Sequence, residues 1–134
     1  MKTLTVNIFG GQDVGKTTIA MHTAAELRWL GLRTALSYGP NCIPCNIVVI
    51  EIDVFWRDPN MLTPHEAAEI CADTLTFLIR RPKDYAPSPG MEECDERLEN
   101  TLRSGQVRYK SLPGMRTSVQ YLLKKICDRV GYGK

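Results

Sequence analysis

Residues 3–9, "TLTVNIF", are β-rich and alternate in polarity, and they run straight into two glycines, a pattern that predicts a buried first strand. From Lys16 to about Leu30, small or apolar residues recur at helical spacing (Ala20, Ala24, Leu27, Leu30), and Gly31 supplies a stop. Thr34 to Ser37 reads as a short second strand, after which "YGPNCIPC" breaks the pattern with glycine, two prolines and asparagine. The most hydrophobic run, "NIVVIEIDVFW" (Asn46 to Trp56), is β-branched and almost unbroken. That is the signature of a central strand in a parallel sheet covered on both faces.

Thr63-Pro64-His65-Glu66 has the order of a capping box, with proline where the first helical turn tolerates it, and predicts a helix over Pro64 to Ala72. "TLTFLIRR" (Thr74 to Arg81) reads as a fourth strand, and "PKDYAPSPG" (Pro82 to Gly90) as a loop. Met91, Cys94, Leu98 and Leu102 share one face of an acidic helix, "VRYKSL" (Val107 to Leu112) is a fifth strand, and Val119, Leu122, Leu123, Ile126 and Val130 make a last amphipathic helix after Pro113-Gly114. This order of elements predicts an α/β fold of about five mostly parallel strands with helices on both faces. No internal repeat interrupts it.

Length and composition narrow the picture. A chain of 134 residues suits one domain, residues 1–134. Seventeen basic against 15 acidic side chains leave a net charge of +2, which points away from nucleic acid as a partner and away from a disordered tail. The opening segment does not read as a signal peptide, and no run approaches the ~18 apolar residues of a membrane span. The expectation is a soluble, cytoplasmic protein without a membrane partner. Five cysteines without regular spacing suit free thiols. Cys42-x-x-Cys45 has the spacing of half a zinc knuckle, but Cys71, Cys94, Cys127, His22 and His65 are scattered singly and form no matching pair.

The chemistry concentrates at "GGQDVGKTT". Gly10, four residues and Gly15-Lys16-Thr17 complete the G-x-x-x-x-G-K-[ST] phosphate-binding pattern, with a strand before it and a helix after it. Glycines let backbone N–H groups curl around phosphates, and the helix N-terminus adds partial positive charge. Gly10, Gly11, Gln12, Asp13, Val14, Gly15, Lys16, Thr17 and Thr18 are therefore the predicted contacts to ATP or another nucleoside triphosphate. Lys16 would neutralise the β- and γ-phosphates, and the Thr17 hydroxyl would hold the bridging Mg²⁺. The fold becomes a three-layer P-loop NTPase fold. Glu51 and Asp53 close the hydrophobic strand on one face, and either carboxylate can anchor the metal. Asp53 is preferred because it lies nearer the strand's C-terminal end, with Glu51 in reserve. Arg80, Arg81 and Lys83 follow the fourth strand as a candidate basic lid for charge on the transferring phosphoryl group.

"VNIFGGQDVGKTTIA" with "ELRWLGLRTAL" resembles the opening of bacteriophage P-loop proteins grouped with nucleotide and nucleoside kinases. "FLIRRPKDYAPSPG" is similar to that family's strand-and-lid stretch, and "MEECDERLENTL" and "VRYKSLPG" follow in the family's order. The resemblance implies a nucleotide site at Gly10 to Thr18, a lid arginine at Arg81, and a nucleoside or nucleotide as phosphate acceptor. Two departures stand out. Met91 follows the lid glycine where the family usually has another arginine. "YGPNCIPC" (Tyr38 to Cys45) stands where the family has a long helical insertion that grips the acceptor. Two functional readings follow: a small Mg-ATP-dependent phosphotransferase or NTPase, and a catalytically reduced nucleotide-binding relative that acts on a host protein. A GTPase-like switch is the weaker third reading, because no Asn-Lys-x-Asp base-reading sequence occurs.

Overall fold

In the computed structural model, which describes residues 3–11, 14–38, 48–52, 62–81 and 89–132, β1 (Leu4–Phe9) is followed by α1 (Lys16–Trp29), β2 (Thr34–Tyr38) and β3 (Val48–Ile52). The chain continues through α2 (Pro64–Ile70), β4 (Leu75–Arg80), α3 (Pro89–Ser104), β5 (Lys110–Pro113) and α4 (Arg116–Val130). The five strands pair in parallel throughout, in the order β2-β3-β1-β4-β5. The result is an α/β fold with helices on both faces of one sheet.

The layers follow from side-chain alternation. Val6 and Ile8 of β1, Ile50 and Ile52 of β3, and Phe77 and Ile79 of β4 face α1 and α4. There they meet Ile19, Ala20, Ala24 and Leu27 from one helix and Val119, Leu122 and Ile126 from the other. Each fully buried aliphatic side chain of this kind stabilises the fold by roughly 1.5–3 kcal/mol through removal from water. On the opposite face, Phe9 and Leu78 pack with Leu62, Ala67 of α2, and Leu98 and Leu102 of α3.

The expected capping of α2 is present: the Thr63 hydroxyl accepts from the Glu66 N–H at 3.2 Å, with Pro64 in the first turn. Two sequence expectations require correction. Pro89 and Gly90 belong to α3 rather than to a loop ending at Gly90, because a first helical turn has no need of proline's missing N–H. β5 begins at Lys110 rather than Val107, and Val107 and Tyr109 instead pack against the smaller core. The remainder of the Pro82–Gly90 stretch, and residues 46–47 and 53–56 of the long hydrophobic run, lie outside the described residues. Among the described residues, no helix is long and apolar enough to cross a membrane.

The strand order places a reversal of winding next to β1. The chain leaves β1 through α1 toward the β2 edge, and it leaves β3 through α2 toward β4 on the other side. β1 and β3 are neighbours, so their C-terminal ends diverge to opposite faces. Open parallel sheets bind ligands in the crevice that such a reversal leaves.

Candidate functional site

The glycine-rich segment emerges at that crevice. Gly15 caps the start of α1 with φ 96° and ψ 15°, in the left-handed region where a side chain would be strained. Glycine at the N-cap supplies no side-chain acceptor to the first N–H groups of α1. Thr17 and Thr18 are exposed on this first turn.

Lys16 does not extend into solvent. Its side chain is buried, and Nζ donates to the carbonyl of Gly10 at 2.7 Å and of Gly11 at 3.0 Å. These bonds tie the start of α1 to the end of β1, and they stabilise a buried charge that would otherwise be costly. Gly114, just after β5, packs against both the glycine-rich segment and the end of β4. The Gly114 N–H donates to the Arg80 carbonyl at 3.2 Å, and Gly114 lies against the carbonyl of Val14.

Beneath the opening runs a row of polar residues on the α2/α3 face of the sheet. Ser37, Glu51, Asn7 and Thr76 are register neighbours across four strands, and all are buried. Asn7 Nδ2 donates to Thr74 Oγ1 at 3.0 Å, and Thr74 Oγ1 donates to the Cys71 carbonyl at 2.8 Å. Glu51 differs from these neighbours. It is 8% exposed and has no polar partner among the described residues. Burial pushes its carboxyl pKa up from the ordinary value. Asp53, preferred over Glu51 from the sequence, lies outside the described residues, as do Gln12, Asp13, Lys83, Cys42 and Cys45.

The two arginines at the end of β4 separate. Arg80 is half-exposed and pairs with Glu99 of α3, its Nη1 donating to Oε1 at 3.0 Å. Glu99 also accepts from the Tyr109 hydroxyl at 2.8 Å. The Arg80 hydrogen bond holds the Glu99 carboxyl below its ordinary pKa, against the opposing effect of burial. Arg81 is buried, with a side chain only 7% exposed. Its Nε donates to Asp95 Oδ2 at 2.9 Å and its Nη2 to Asp95 Oδ1 at 3.0 Å, a bidentate pair.

That pair sits directly against Gly11. A Cβ at position 11 would lie 1.8 Å from Asp95 Oδ1 and 3.0 Å from Arg81 Nη2, so any side chain there would displace the Asp95 carboxylate. A cavity of about 200 Å³ opens beside it, lined by Gly11, Leu78, Ile79, Arg80, Arg81, Asp95 and Leu98. The structure therefore brings together the start of the glycine-rich segment, one lid arginine and an aspartate that the sequence reading did not single out. Asp95 lies within "MEECDERLENTL", which reads from the sequence only as an acidic helix. No local spacing links it to residue 11.

Among the described residues, no group of three His, Cys, Asp or Glu side chains is placed to hold a metal. Cys94 and Cys127 are free thiols, and His65 is exposed, 3.0 Å from Glu69. No protein-family model matches the chain, and no curated protein matches it in sequence.

Proposed function

We propose that the chain is a Mg-ATP-binding P-loop protein of the phage nucleotide- and nucleoside-kinase type, acting as a small phosphotransferase or NTPase. One observation carries this reading: Lys16 Nζ is folded back onto the Gly10 and Gly11 carbonyls, at the C-terminal end of the central strand and beside the uncapped start of α1. A lysine ammonium close to a helix N-terminus is what an anionic triphosphate requires. Thr17 and a carboxylate from the end of β3 would hold Mg²⁺, and the buried Glu51 carboxylate suits that donor set. When bound, the metal neutralises charge shared by the β- and γ-phosphates.

A second reading, nucleotide binding without transfer, is favoured by the connection between β2 and β3. Residues 39–47 alone span it, and in-line transfer depends on holding an acceptor within a few ångströms of the γ-phosphate. ADP release from Mg-ATP, alone and with a panel of nucleosides and nucleoside monophosphates, separates the two. Release that rises with one acceptor identifies a kinase and names its substrate. A flat panel with retained nucleotide affinity identifies the binding relative. In either case Lys16→Ala should weaken nucleotide binding about 100-fold, the loss expected when a desolvated phosphate contact is removed. Equal affinity in the variant would overturn the nucleotide reading.

A further inference from the structure

Asp95 presents an electrostatic puzzle: a carboxylate stands against the segment read above as an anion cradle. We propose that Asp95 is a specificity-determining residue that competes with the terminal phosphate of a bound nucleoside triphosphate for Arg81. The inference rests on the nucleotide-binding reading and deepens it.

The position follows from Lys16. In a loop of this type the lysine reaches the β- and γ-phosphates, and here its ammonium rests on Gly10 and Gly11. Gly11 therefore marks the terminal-phosphate end, and it is the residue against which the Arg81–Asp95 pair is packed. Arg81 commits Nε and Nη2 to Asp95. A γ-phosphate arriving beside Gly11 meets a guanidinium already neutralised and a carboxylate of its own sign. Binding then requires Arg81 to be shared or exchanged. A diphosphate, which ends one phosphate short of this point, meets neither effect. Asp95 thus lowers triphosphate affinity relative to diphosphate affinity, and it keeps Arg81 from making a permanent anion trap of the 200 Å³ cavity.

The test is titration calorimetry on the full chain with Mg²⁺ and either ADP or a non-hydrolysable ATP analogue. Removing a like charge at this distance is worth on the order of tenfold in affinity. Asp95→Asn should tighten the triphosphate analogue about tenfold while leaving ADP within about twofold. Asp95→Glu keeps the charge and should hold the triphosphate-to-diphosphate ratio near that of the unaltered protein. A role confined to holding the fold predicts instead that both variants weaken both ligands together. Should Asp95→Asn melt early, Arg81→Gln carries the test, with selective loss of triphosphate affinity expected. The proposal is overturned if Asp95→Asn weakens the triphosphate or shifts both nucleotides equally. If the unaltered chain binds nucleotide in a Lys16-dependent manner and the Asp95 variants are flat, this inference alone fails. If neither nucleotide binds the unaltered chain, the nucleotide reading fails with it.

Discussion

The two faces of the sheet use the same strands for different ends. Toward α1 and α4, β1 presents Leu4, Val6 and Ile8, which join a large apolar cluster with both helices. Toward α2 and α3, the same strand presents Asn7 and Phe9, and Asn7 sits in a buried polar row with Ser37, Glu51 and Thr76. Buried polar groups without partners cost stability. Asn7, Thr74 and Thr76 avoid that cost through hydrogen bonds to one another and to the end of α2. Glu51 does not. One face is thus arranged for stability, and the other gives up some stability around the crevice where the candidate site lies.

Three substitutions test this contrast, from the largest effect to the smallest. Ile8→Ala on the apolar face removes a side chain with no exposure and should cost about 2–5 kcal/mol in denaturant unfolding, leaving a cavity between the sheet and α1. A cost below 1 kcal/mol would mean that this layer is not the dominant core. Glu99→Gln breaks the charge-assisted contacts of Arg80 and Tyr109 that tie α3 to the sheet, at about 1 kcal/mol, since Arg80 is half-exposed and its attraction is screened. The folded-state pKa of Glu99 is lowered, so its contribution is present above the ordinary carboxyl range and is lost as pH falls through the lowered value. The difference between the two proteins should therefore vanish in acid.

Glu51→Gln has the opposite sign. A raised folded-state pKa means that the folded chain holds this proton more tightly than the unfolded chain. Its favourable contribution is complete below the ordinary carboxyl range and is lost as pH rises through the raised value. Glu51→Gln should consequently stabilise the protein at pH 8 by something on the order of 1 kcal/mol, with no gain near pH 4, as read from thermal midpoints across that range. A loss of stability at pH 8 would show that the Glu51 carboxylate is satisfied and would remove the contrast between the faces.

Much of the architecture was legible because periodicity is a contiguous signal. The nine elements, the cap at Thr63 and the stop at Gly31 each depend on residues within a few positions of one another. The start of α3 was misplaced because Pro89 reads locally as a loop residue, although a first turn accommodates it. The candidate site was legible in part. Gly10, Gly15, Lys16 and Thr17 form one short motif, but the partner of Arg81 lies 14 residues away on another element, and nothing in helical or strand spacing encodes it.

From neighbouring residues alone come the alternation of strands and helices, the glycines between β1 and α1, and the lysine that opens α1. These follow from local backbone preference and side-chain period, which neighbouring residues set together. The tertiary structure alone decided the order β2-β3-β1-β4-β5, which face of the sheet receives Glu51, and the meeting of Gly11, Arg81 and Asp95. Those depend on how separate elements pack, and packing joins residues that are distant along the chain through shape and buried charge rather than through any repeat in the sequence.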